Sequence, residues 1–179
     1  MPSQGPFAPG TIVNVSRGST PWTTVTNAGI DDGTSFAVDN IPGNGDTDYI
    51  QATNFGFSLP VSAQLTGVLF TYKGKSSTSD GSLTEEIVQL IKGGTVQGAN
   101  KASNSLSGAL VQFSFGSNSD LWTLSLIPSD VNASNFGIAY VVQNTNVSLA
   151  RIASVDAFRI TIYYSISTRF MSVLSGVEN

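Results

Sequence analysis

The side chains able to do chemistry in this sequence are carboxylates, hydroxyls and four lysines, because the chain contains neither His nor Cys. Without His, the group that most often moves protons near neutral pH is missing. Without Cys there is no thiolate nucleophile and no disulfide framework, and a zinc site loses its two usual donors. A glycosidase needs two carboxyl groups facing each other across a cleft. The candidates are Asp31, Asp32, Asp39, Asp46, Asp48, Asp80, Glu85, Glu86, Asp120, Asp130 and Asp156. Most stand beside Gly, Asn or Ser, where turn formation accounts for them. A nucleophilic Ser would need a Lys base, but no Ser-x-x-Lys spacing surrounds Lys73, Lys75, Lys92 or Lys101, and no phosphate-binding Gly-rich loop with Lys is present. The expectation is a protein that is not an enzyme and takes no cofactor.

Two constellations invite a binding role. Asn44, Asp46 and Asp48 alternate oxygen donors along a Gly-containing loop, with Asp39 as a further donor, as in part of a calcium site. The later Glu of an EF-hand is absent, and a plain turn, the preferred reading, explains the same residues. Trp22 and Trp122 would suit a sugar-stacking platform if exposed; buried, they are core or interface anchors, which is preferred.

The elements that must position these residues are short and extended. Charged residues are only 11% of the 179 and the net charge is −4, with no basic run, so neither a nucleic-acid surface nor a disordered polyion is expected. Apolar residues reach 40%. No apolar stretch approaches a membrane span, and Met1 to Pro6 lacks a signal peptide's charged and apolar regions, so folding in a cytoplasm is expected. Residues 1–10 hold three Pro and two Gly and read as an extended arm, with Phe7 as its one aromatic anchor. β-Branched runs predict strands at 11–15, 22–26, 34–38, 49–52, 65–72, 95–97, 110–115, 121–126 and 136–142, with 55–59 extended up to Pro60.

Residues 42–46 read as a loop and 73–82 as a polar loop. Residues 86–92 are apolar on both faces and read as a doubly covered strand, with a short helix as the rival. One helical turn is expected at 128–132, capped by Ser129 or Asp130. The strongest pattern is last: Phe158, Ile160, Ile162, Tyr164 and Ile166 alternate with Arg159, Thr161, Tyr163 and Ser165, one face buried and the other wet or in contact. Regularly spaced short strands without a long helix predict an all-β domain over 11–166, a β-sandwich of jelly-roll type. A second arm, 167–179, carries Phe170 and Leu174.

The segments Phe115-Gly116-Ser117-Asn118-Ser119-Asp120-Leu121-Trp122, Asn135-Phe136-Gly137-Ile138 and Val155-Asp156-Ala157-Phe158-Arg159-Ile160-Thr161-Ile162-Tyr163-Tyr164 resemble a pattern of small β-rich virion proteins of tailed bacteriophages. The turn at 128–132 and the stretches 55–60 and 65–68 fit the same pattern, which spans Trp22 to Tyr164; the two arms fall outside it. The resemblance implies a capsid cement (decoration) protein or a head or tail accessory protein. It further implies the major capsid protein as partner and self-assembly without catalysis, and the virion surface as the final location. A trimer follows from the three-fold axes of a capsid lattice. Phe7, Phe170 and Leu174 are then the expected partner contacts. The alternative is a carbohydrate- or receptor-binding module of a phage tail or head fibre, with exposed Trp or Tyr in a groove.

Overall fold

The computed structural model describes residues 1–18 and 20–166. Ten strands form two antiparallel sheets: β1 (Ser3–Phe7), β2 (Thr11–Val15), β3 (Ala37–Ile41), β4 (Tyr49–Thr53), β5 (Ala63–Ser76), β6 (Leu83–Lys92), β7 (Thr95–Gln97), β8 (Val111–Gly116), β9 (Gly137–Asn144) and β10 (Arg151–Ile166). One helical turn, α1 (Pro128–Asn132), lies between β8 and β9.

From β3 onward every connection crosses between the sheets except that from β6 to β7, which are neighbours in the second. β3, β10, β5 and β8 are neighbours in that order in the first sheet, and β4, β9, β6 and β7 in the second. That order is a jelly roll, so the expected β-sandwich is the observed one. Two strands lie outside the eight. β2 extends the second sheet beside β4, and β1 lines the C-terminal half of β10, whose N-terminal half pairs with β3.

The core follows from alternation. In β5, Phe70 and Tyr72 point inward; in β10, Phe158, Ile160 and Ile162; in β9, Ile138, Tyr140 and Val142, all fully buried. Phe70, Tyr72, Tyr140 and Phe158 form one aromatic cluster across the two sheets, with ring centroids 4.8–5.9 Å apart. Most of these contacts are edge-to-face, the geometry that aromatic quadrupoles favour.

Several sequence expectations change. Residues 1–10 are extended, but Ser3–Phe7 is hydrogen-bonded to β10 as a strand, and Phe7 packs on Phe57 with centroids 5.4 Å apart. Residues 22–26 are not a strand: Thr24 is left-handed, and Val25–Gly29 forms a 3-10 turn. The third strand begins at Ala37 rather than 34. Residues 121–126 form a loop, because Trp122 and Thr123 are both left-handed, at φ 57° and 61°. β5 runs through Lys73 and Lys75 to Ser76, since those polar residues face outward while Tyr72, Gly74 and Ser76 continue the inward face. Residues 86–92 belong to a strand, β6, and not to a helix. The turn α1 forms where expected, but its N-cap is Ile127 rather than Ser129 or Asp130; Asp130 is the third helical residue, and its carboxylate accepts the Ile127 amide at 2.9 Å. Phe170 and Leu174 of the C-terminal arm lie outside the described residues.

Candidate functional site

Asp46 and Asp48 stand at the start of β4, beside a shallow cleft of about 500 Å³ lined by Asn14, Arg17, Thr20 and Asp48. Their oxygens are already engaged. The Asp48 carboxylate accepts the amides of Arg17 and Gly18 and the Asn14 side chain, at 2.7, 3.0 and 2.8 Å. Burial pushes its pKa up, but these donors outweigh it and hold Asp48 below the usual carboxylate range. Asp46 is ion-paired with Arg17, which also grips Glu86. Asn44 is left-handed at φ 57° in the turn before them, and its amide donates to Asn146 O. Asp39, behind, accepts the Thr20 hydroxyl at 2.8 Å, and burial raises its pKa to about 6. Among the described residues no three acidic side chains are grouped to hold a metal ion. The loop is thus tied to β4 by the donors that a cation would have to replace.

Both tryptophans are interior. Trp22 is 5% exposed and its indole N–H donates to Asp48 O; Trp122 is fully buried and donates to Val68 O. Neither offers a face to a sugar. The largest buried acid, Glu85, accepts the Tyr72 hydroxyl, the amides of Ser103 and Asn104, and the Asn104 side chain. Every one of those contacts is internal, so Glu85 fastens the segment around 100–106 to the second sheet.

The outward face of β10 is different. Arg159, Thr161 and Tyr163, predicted to be wet, line a groove of about 470 Å³ on the first sheet. Their spacing of two residues puts them on one face roughly 7 Å apart in sequence along the strand. Register then brings in partners remote in sequence. Arg159 lies opposite Thr71 of β5, Thr161 opposite Leu69, and Tyr163 opposite Ser3 of β1. Lys73 lies between Asp156 and Gln112, and its ammonium is ion-paired with Asp31. Sequence reasoning found the β10 residues by alternation but did not place Ser3, Asp31, Thr71 and Gln112 beside them: strand pairing brings in Ser3, Thr71 and Gln112, and Asp31 arrives on a loop through its ion pair with Lys73. Asp156, fully buried beneath this region, accepts the Gly33 amide. Burial, and then the nearby Asp31 and Asp32, push its carboxyl up against the lowering effect of the Gly33 amide, and its Oδ1 has no hydrogen-bond partner among the described residues.

A second surface feature lies where β1 starts, β5 starts and β10 ends. Ala63 is paired with Ile166, and the Thr66 hydroxyl meets the Met1 sulfur at 3.2 Å. Met1, Val61 and Ile166 are 72%, 95% and 47% exposed there.

No protein-family model matches the chain, and no curated protein matches it. Among solved structures, a chain described as "CBM4 structure and function" is similar at 13% identity and a TM-score of 0.42, covering 74% of this chain and 87% of that one. At that distance the likeness carries no functional argument.

Proposed function

We propose that this protein is a non-catalytic structural subunit of a tailed-phage virion, a cement protein that clamps neighbouring major capsid proteins as a homo-oligomer, a trimer by lattice symmetry. The resemblance stated above supplies the family. The observation that carries the reading is the end of the sandwich where Met1, Val61 and Ile166 are exposed together and from which residues 167–179 continue. Other apolar side chains are exposed elsewhere, Val147 and Leu149 among them, but three large ones on adjoining strand ends beside an onward chain suit burial against a partner. The carboxylates engaged in loop and ion-pair bonds and the buried tryptophans support a structural role over a catalytic one.

The test is the copy number in purified virions, measured by quantitative mass spectrometry against the major capsid protein. A cement protein is present in a fixed, large proportion to the capsid protein. Absence from the virion overturns the proposal, as does a handful of copies confined to the portal or tail.

A further inference from the structure

The groove on the first sheet holds an unusual set of unengaged donors. The Arg159 guanidinium uses Nη1 alone, donating to Gly29 O at 3.0 Å and Phe158 O at 2.7 Å. Those two bonds fix the head while Nε and Nη2 have no partner among the described residues. The side-chain polar groups of Thr71, Thr161, Tyr163 and Gln112, all lining the groove, likewise bond to nothing among the described residues. Thr161 is 8% exposed as a residue, yet its hydroxyl is not a buried orphan, so the groove is what solvates it.

Charge decides the sign of the ligand. Asp31 is neutralised by Lys73, and Asp156 is sealed below the floor with its carboxyl pushed toward the neutral form by burial. Among the described residues Arg159 is then the one uncompensated charge on the groove. A guanidinium fork with two free donors matches a carboxylate, which it binds in a bidentate way. The rest of the lining is hydroxyl, amide and one phenol ring, the chemistry that meets a polyol. One free cation on the groove, among the described residues, in a chain of net charge −4 does not suit a polyanion such as nucleic acid. The volume lies within the range of small-ligand sites.

We infer that this groove binds a short acidic oligosaccharide, with a uronic-acid carboxylate on Nε and Nη2 of Arg159, a pyranose ring against Tyr163, and sugar hydroxyls on Thr71, Thr161 and Gln112. The site's occupancy is measurable on the isolated protein whatever the copy number in virions.

The experiment titrates the full chain with trigalacturonic acid and with neutral maltotriose, read by calorimetry and by backbone amide shifts. The acidic trimer binds at least about tenfold more tightly, a gap of ~1.4 kcal/mol. Arg159→Lys, which keeps the charge and loses the fork, removes most of that preference, and Tyr163→Ala weakens both sugars. Thr71→Val, nearly isosteric, weakens binding several-fold at unchanged melting temperature, which keeps the test valid if Tyr163→Ala disturbs β1. The inference is overturned if neither sugar binds at its solubility limit. It is also overturned if the two bind equally, or if Arg159→Lys and Thr71→Val, both folded, bind the acidic trimer like the wild type.

Discussion

The hydroxyl of Tyr140 donates to the hydroxyl of Tyr72 at 3.0 Å, and this bond ties the two sheets together through the middle of the core. Tyr72 in turn donates to Glu85 of the opposite sheet. The chain of donors has a direction, and the direction ranks the substitutions. Tyr72→Phe strands both the Glu85 oxygen and the Tyr140 hydroxyl in the core, and is expected to cost about 2–3 kcal/mol. Tyr140→Phe leaves the Tyr72–Glu85 bond intact and is expected to cost about 1 kcal/mol. Urea unfolding at pH 7 measures both, and equal costs would show that the relay is not directional.

Asp39 gives the fold a pH dependence of definite sign. Its folded pKa of about 6 lies above the ordinary aspartate value of about 3.9. Burial is the main cause, the Thr20 and Asn40 hydrogen bonds oppose it, and the Asp48 charge adds to it. Between these pH values the folded state holds more protons than the unfolded one. Its contribution is therefore full below about pH 4 and lost as pH rises through about 6. Asp39→Asn removes the titration. Relative to wild type, the variant should gain roughly 2 kcal/mol between pH 4 and pH 8. Paired denaturant titrations at the two pH values measure it; a flat difference contradicts the assignment.

Two glycines separate a global from a local role. A Cβ at Gly137 would sit 1.9 Å from Ala52 O, in the middle of the second sheet. A Cβ at Gly5 would sit 2.4 Å from Ile160 O, and Gly5 also has φ +107°. Gly137→Ala should leave little folded protein. Gly5→Ala should detach β1 alone, raising amide exchange across Ile160 and Ile162 while β9 stays protected, because β1 makes a separable edge of the sheet.

Chelation tests the loop at Asn44, Asp46 and Asp48. The Asp46 and Asp48 carboxylates are engaged by Arg17, Gly18 and Asn14. A calcium chelator should leave the melting temperature unchanged. A drop of many degrees would mean that a bound ion stabilises the folded state by mass action.

Strands with strict alternation were legible in the sequence, β10 above all, because a period of two survives any register. What failed was local conformation set by tertiary contacts. Thr24 and Trp122 are left-handed although neither type favours it; Trp122 is held by its indole bond to Val68 O and by its amide bond to Asp120. Lys73 and Lys75 looked like loop because only their partners reveal a wet sheet face, with Lys75 over the Phe36 ring and Lys73 on Asp31. The groove was half legible for the same reason. Arg159, Thr161 and Tyr163 follow from one strand, whereas Thr71 and Gln112 arrive by strand pairing, and Asp31 by its ion pair with Lys73, across large separations that no local pattern encodes.

The end proposed to face a capsid can be tested at a residue with no structural duty. Val61 is 95% exposed in the turn between Pro60 and Ala63, where the Ala63 amide bonds to Pro60 O without help from the Val61 side chain. Val61→Asp therefore leaves the melting temperature unchanged, since surface substitutions away from special features move stability little. At an apolar contact the same change buries an unpaired charge, which is costly. Bound copies on capsids stripped of the protein should fall at least about tenfold near half-saturation, by ~1.4 kcal/mol per decade. A chain ending at residue 166, without Phe170 and Leu174, should fall in the same way. Phe7→Ala should act differently, because Phe7 rests on Phe57 at the edge of the core and its loss is expected in stability before occupancy. Gln112→Ala, in the groove, should bind capsids like the wild type. If Val61→Asp and the shortened chain both fill capsids normally, this end does not face the capsid, and attachment through the half-exposed Phe7 edge becomes the reading to pursue.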